Sequence, residues 1–152
     1  MIALLNNKLF VIFLAPFLLG VITIFGFAPY NLTFVNFFTF SILLFLISVI
    51  KKRTQSKYRK KRSNRYFFYL GCCFGFGFFL FGNYWISISL THDEMFKGLI
   101  PFALILIPLF LSLFFGIAIL LVGTFAEKNI YFILLFSLVF SMFEFLRGNL
   151  LT

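Results

Sequence analysis

Long uncharged runs alternate with short charged clusters along this chain. No residue from Leu9 to Ile50 is charged, a run of 42 residues. Three further uncharged runs cover Tyr66–His92, Gly98–Ala126 and Asn129–Phe143. A bilayer core requires about 20 apolar residues of helix, at about 1.5 Å each. The first run is too long for one such helix and right for two. A break stands at Gly26-Phe27-Ala28-Pro29-Tyr30-Asn31. There Pro29 lacks an amide donor and disfavours helix at Ala28, and Gly26 loosens the backbone. The runs are continuously apolar and do not alternate, which favours helices over a membrane barrel. The pattern predicts an all-α fold, a multi-pass transmembrane helical bundle. Its five spans are expected at about 9–25, 32–50, 66–90, 99–125 and 130–146, with a basic loop at 51–65.

Composition sharpens this picture. The chain is 62% hydrophobic and 11% charged, against about 25% charged in soluble domains, so a water-soluble globule is excluded. Its net charge is +9, yet nine of the 13 basic residues lie between Lys51 and Arg65 with no acid among them. The remainder is neutral overall. Basic residues in short loops mark the cytoplasmic side. The N-terminus with Lys8, residues 51–65 and Glu127-Lys128 are thus expected inside; the Pro29 turn, Thr91–Lys97 and the C-terminal end are expected outside. The first span follows one Lys and shows no small-residue cleavage site, so it reads as uncleaved. Between two spans, the basic segment reads as a topology determinant touching anionic lipid heads rather than as a nucleic-acid site. The 28 Phe residues accompany abundant Ile, Asn and Lys, a set with AT-rich codons, and individually imply no mechanism.

Few side chains offer chemistry. Cys72 and Cys73 are adjacent inside the third span and lack metal-ligand spacing. Gly71, Gly75, Phe78, Gly82, Trp85 and Ser89 recur every three or four residues, so they share one helix face. Small residues there allow a close helix neighbour, which assigns Gly71, Gly75 and Gly82 to packing; a groove for an acyl chain is the other reading. Gly75-Phe76-Gly77 lacks the third Gly and the strand context of a dinucleotide loop. Pro101 and Pro108 are expected to distort the fourth span. Glu144 is the one acid inside a span, with Arg147 a turn away. Either the two pair at the outer interface, or they form a polar group beneath a substrate mouth. His92, beside Asp93 and Glu94 in the outer loop, reads as solvated. No catalytic triad, metal set or cofactor motif is visible, so no catalytic residue, metal or cofactor is assigned.

Three stretches carry a resemblance in a fixed order. They are Gly26-Phe27-Ala28-Pro29-Tyr30, Gly75-Phe76-Gly77 through Asn83-Tyr84-Trp85-Ile86, and Glu144-Phe145-Leu146-Arg147-Gly148. With the basic loop between spans two and three, they resemble the N-terminal membrane region of bacterial apolipoprotein N-acyltransferase. The resemblance implies a protein of the bacterial cytoplasmic (inner) membrane. It implies transfer of an acyl chain from a phospholipid to the N-terminal amine of a lipoprotein's diacylglyceryl-cysteine. In that family a Glu-Lys-Cys triad of a periplasmic nitrilase-like domain forms a thioester and passes the acyl group on. The partners implied are membrane phospholipids and a lipoprotein, with no nucleic acid. No triad residue can be carried over, because the resemblance ends before the catalytic domain; Cys72 and Cys73 lie in a membrane helix. The chain is expected to be inactive alone, as a fragment, a frameshift product or half of a split protein. The resemblance implies that Trp85, Glu144 and Arg147 position lipid or substrate. The alternative is a small non-enzymatic multispan protein, such as a transporter subunit or assembly partner.

Overall fold

The computed structural model describes residues 9–27, 30–54, 60–84, 98, 100–125 and 130–151. Five helices follow one another, and no strand occurs among the described residues. Helix α1 (Phe10–Gly26) is composite. It begins as a π-helix at Phe10–Leu14, continues as an α-helix over Ala15–Thr23 and ends in a 3₁₀ turn at Ile24–Gly26. Helices α2 (Thr33–Arg53), α3 (Lys60–Gly82), α4 (Ile100–Phe125) and α5 (Ile130–Leu151) complete the chain. The last four are long and apolar enough to cross a membrane; α1 is a shorter apolar helix.

Local sequence explains the irregularities. Pro16 has no amide hydrogen, and its ring would clash with the carbonyl four residues back. The chain widens there, and the Ala15 amide donates to the Phe10 carbonyl, five residues back. Pro101 occupies the first turn of α4, where a missing donor leaves nothing unpaired. Pro108 lies inside α4, buried, and the helix continues through it.

Between α1 and α2, Pro29 lies outside the described residues, and the described ones divide the labour differently from the sequence reading. Asn31 takes the left-handed conformation, φ 52°, which a short polar side chain tolerates. The Asn31 amide donates to Phe27 O at 2.9 Å, and the Leu32 amide donates to Phe25 O at 3.0 Å. Gly26 does not adopt positive φ. It is needed for space, because a Cβ there would collide with the Asn36 side chain of α2. The basic segment also differs from a plain loop: α2 runs on through Arg53, and α3 already starts at Lys60.

Helix α3 is the centre of the bundle, pressed most extensively against α4 and next against α1. Its glycines set both distances. A Cβ on Gly71 would lie 2.6 Å from the Phe115 carbonyl oxygen and 2.8 Å from Gly116 Cα of α4. One on Gly75 would lie 3.0 Å from Ser112 Cα. On the other side, Gly77 abuts the Phe17 carbonyl, and Gly20 of α1 abuts the Phe74 carbonyl. Lipid tails are as apolar as Leu, so van der Waals packing rather than water exclusion holds such contacts. Leu43, Ile47, Phe67, Leu70, Phe74 and Ile119 form the fully enclosed core. Large apolar side chains such as Phe37, Phe45 and Phe102 cover the outer faces, as a lipid-facing surface requires.

Polar side chains within the helices largely turn inward on their own backbone. Thr23 Oγ1 donates to Leu19 O at 2.7 Å, and Ser112 Oγ donates to Leu109 O at 2.7 Å. Each hydroxyl thereby satisfies itself without water.

Candidate functional site

The polar end of α5 meets α3 and α4 at one point. Arg147 is one turn beyond Glu144, so both project from the same helical face. Arg147 Nη2 donates to Glu144 Oε2 at 2.6 Å, and Arg147 Nε donates to the same oxygen at 3.2 Å. Both side chains are part-buried, with about a third of the surface of each accessible. The guanidinium also lies over the Phe79 ring, with Cζ 5.1 Å from the centroid. A cation over an aromatic face is worth about 0.5–2 kcal/mol, more as water is excluded. The pair is therefore held from two helices.

Phe79 is a rigid seat. It is buried, and its ring meets Phe115 edge-on at 5.2 Å and Phe78 edge-on at 5.1 Å. Phe115 in turn packs edge-on against Phe140 at 4.8 Å. Beside this aromatic cluster, a shallow, open groove runs between α4 and α5. It is lined by Phe114, Phe115, Ala118, Phe140 and Phe143, with Glu144 as its polar member. The arrangement joins an apolar slot to a fixed cation–carboxylate pair.

The opposite end of the bundle is also polar. Thr54 Oγ1, at the end of α2, lies 2.8 Å from Ser63 Oγ on α3. Thr124 Oγ1 of α4 donates to Asn64 Oδ1 at 3.5 Å. From Asn64 to Phe79 helix α3 rises about 22 Å. The basic segment and the Glu144–Arg147 pair thus stand at opposite ends.

Of the residues singled out in the sequence, Glu144 and Arg147 are brought together. Gly71 and Gly75 lie in the α3–α4 contact. Gly82 does not join them: a Cβ there would meet nothing within 4 Å among the described residues. Trp85 and His92 lie outside the described residues. Cys72 and Cys73 are half-buried free thiols, Cys72 with Sγ against Gly116. Among the described residues no group of three or more His, Cys, Asp or Glu could hold a metal. Sequence reasoning missed Phe79. Its cue was its place four residues after Gly75, on the same face, hidden among the many Phe residues.

The sequence matches the family described as the apolipoprotein N-acyltransferase N-terminal domain over residues 19–152. It is 35% identical over 137 residues to the apolipoprotein N-acyltransferase of Rickettsia prowazekii, covering 89% of this chain and 25% of the relative. Similarity to the enzyme of that name from Rickettsia typhi is 36% over 137 residues, covering 90% and 25%. For Brucella melitensis it is 30% over 140 residues, covering 91% and 26%. The chain therefore spans about a quarter of the length of these curated relatives. No solved structure matches it. The matched region takes in α2 to α5 whole, with the Glu144–Arg147 pair and its Phe79 seat, and on that ground the chain belongs to the apolipoprotein N-acyltransferase N-terminal domain family.

Proposed function

We propose that this chain is the membrane portion of a lipoprotein N-acyltransferase of the bacterial inner membrane. It holds the phospholipid acyl donor, while a catalytic part lying beyond these residues performs the transfer to the lipoprotein amine. The observation that carries this reading is the Glu144–Arg147 pair, seated on Phe79 beside the α4–α5 groove. In this reading an acyl chain lies along Phe114, Phe115 and Phe140, and the lipid phosphate pairs with the Arg147 guanidinium. Glu144 keeps that guanidinium in one orientation. Trp85 is assigned to the same lipid-positioning role by its resemblance alone, an indole being suited to a membrane interface. The basic segment stays cytoplasmic, and the Arg147 end opens to the periplasm.

Two acyl-transfer half-steps would occur elsewhere, since both Cys72 and Cys73 lie within the membrane helix α3. The chain by itself is inactive in this reading. The test is a chimera in which this chain replaces the N-terminal quarter of the Rickettsia prowazekii relative. Membranes carrying it should N-acylate a diacylglyceryl-modified lipoprotein, and Arg147→Ala should reduce the rate at least tenfold at limiting phospholipid. Full activity in the Arg147→Ala chimera would refute the lipid-positioning role.

A further inference from the structure

Seven of the nine cations of the basic segment lie on helices. Lys51, Lys52 and Arg53 form the last turn of α2, while Lys60, Lys61, Arg62 and Arg65 lie in the first turns of α3. The Thr54–Ser63 hydrogen bond fastens these two helix ends together at 2.8 Å. Thr54 Oγ1 also lies 2.6 Å from the Ile50 carbonyl, which fixes its rotamer. Asn64 and Thr124 bring the end of α4 to the same place.

This clasp sets the last turn of α2 beside the first turns of α3, where the apolar spans begin. Lys52, Arg53 and Arg65 are exposed there, and Ser63 beneath them is buried. No acid lies between Lys51 and Arg65, nor in the first turn of α3. The α3 cations stand at the positive end of their own helix dipole, a like-charge arrangement that an anion relieves. In the α2 turn the cations complement the dipole and are held in place. Glu127, in the α4–α5 connection, is the one acid the sequence places at this end.

We propose that this clasp is a docking site for anionic phospholipid heads, formed by the end of α2 and the start of α3. A phosphodiester there bridges cations of both helices. The lipid belongs to the leaflet opposite the Arg147 end and is a structural partner of the bundle, not an acyl donor. Topology selection needs only the count of charges in the segment; a clasped pair of helix ends adds a geometry. Each near-surface cation favours an anionic lipid by about fivefold.

The experiment reconstitutes the full chain in phosphatidylcholine vesicles. Trace spin-labelled phosphatidylglycerol or phosphatidylcholine then reports the fraction of lipid held at the protein. Phosphatidylglycerol should be preferred at least fivefold. Lys51→Gln/Lys52→Gln/Arg53→Gln, which leaves six basic residues in the segment to keep the orientation, should cut the preference severalfold. Thr54→Val/Ser63→Ala leaves the charge unchanged and should also lower it, because the two cation sets part. Circular dichroism of each variant confirms that the helices remain. Equal association of the two lipids would overturn the proposal. So would a preference unchanged in the clasp variant, which would mean diffuse attraction without a site. Tight RNA binding without lipid preference would also overturn it, in favour of a nucleic-acid surface.

Discussion

Replacing Gly71 and Gly82 by Ala makes the same chemical change on one helix, with opposite expected outcomes. At Gly71 the new methyl would lie 2.6 Å from the Phe115 carbonyl oxygen and 2.8 Å from Gly116 Cα, both backbone atoms. An ordinary contact is about 3.5–4.0 Å, so α3 and α4 must separate by most of an ångström. A radial gap of about 0.5–1 Å forfeits roughly a quarter to a half of each dispersion contact along the interface. Overpacking of this kind costs about 1–3 kcal/mol. Ala recovers about 0.5–1 kcal/mol of helix propensity, leaving Gly71→Ala destabilised by about 1–2 kcal/mol. At Gly82 a methyl meets nothing within 4 Å among the described residues, so only the propensity gain applies. The two variants should differ by about 2 kcal/mol, roughly 30-fold in the unfolding constant. Equilibrium unfolding of the purified chain in mixed micelles measures this, with near-ultraviolet dichroism following packing and far-ultraviolet dichroism following helix. If Gly71→Ala is as stable as Gly82→Ala, the backbone contact between α3 and α4 is not what holds them together.

Gly116→Ala would drive its methyl to 2.5 Å from Cys72 Sγ, so it should destabilise by about 1–3 kcal/mol, and adding Cys72→Ala should recover much of that loss in the same unfolding assay. Recovery no larger than the effect of Cys72→Ala alone would exclude that clash. A double-mutant cycle of Thr54→Val and Ser63→Ala should give a coupling of about 0.5–1.5 kcal/mol for their hydrogen bond, and additive losses would show that the helix ends are not clasped. In the active chimera, Arg147→Lys keeps the charge but loses the planar fork and the stacking on Phe79, so the apparent KM for phospholipid should rise severalfold with kcat little changed. A fall in kcat with an unchanged KM would place Arg147 in the chemistry rather than in lipid binding.

The helical class was legible because the signal is long-range in composition. Runs of twenty uncharged apolar residues admit one backbone solution in lipid, whatever their neighbours. The Glu144–Arg147 pair was equally legible, since both partners sit on one helix at a spacing that helical geometry fixes. Its seat was not. Phe79 reaches Arg147 across 68 positions of sequence, and no local pattern distinguishes it from the other Phe residues of α3. The glycine stripe showed periodicity but not which of its members meets a neighbour. Gly71 and Gly75 abut α4, whereas Gly82 lies past the described contact. Gly77, set aside with a rejected dinucleotide motif, is the residue that lets α1 approach.

The basic segment divides the same way. Sequence alone determined that nine cations gather between two apolar runs, and charge counting gives the orientation expected of them. It also marked a break near Pro29, although the left-handed turn at Asn31 appeared only in the structure. Tertiary structure decided which glycines touch a neighbour, which phenylalanine carries the arginine, and that Thr54 and Ser63 draw two charged helix ends together. The reason is physical. Solvation by lipid and backbone strain act residue by residue and leave their marks in the local sequence. Close packing and hydrogen bonds between helices depend on which faces meet, and that is settled only when the bundle assembles.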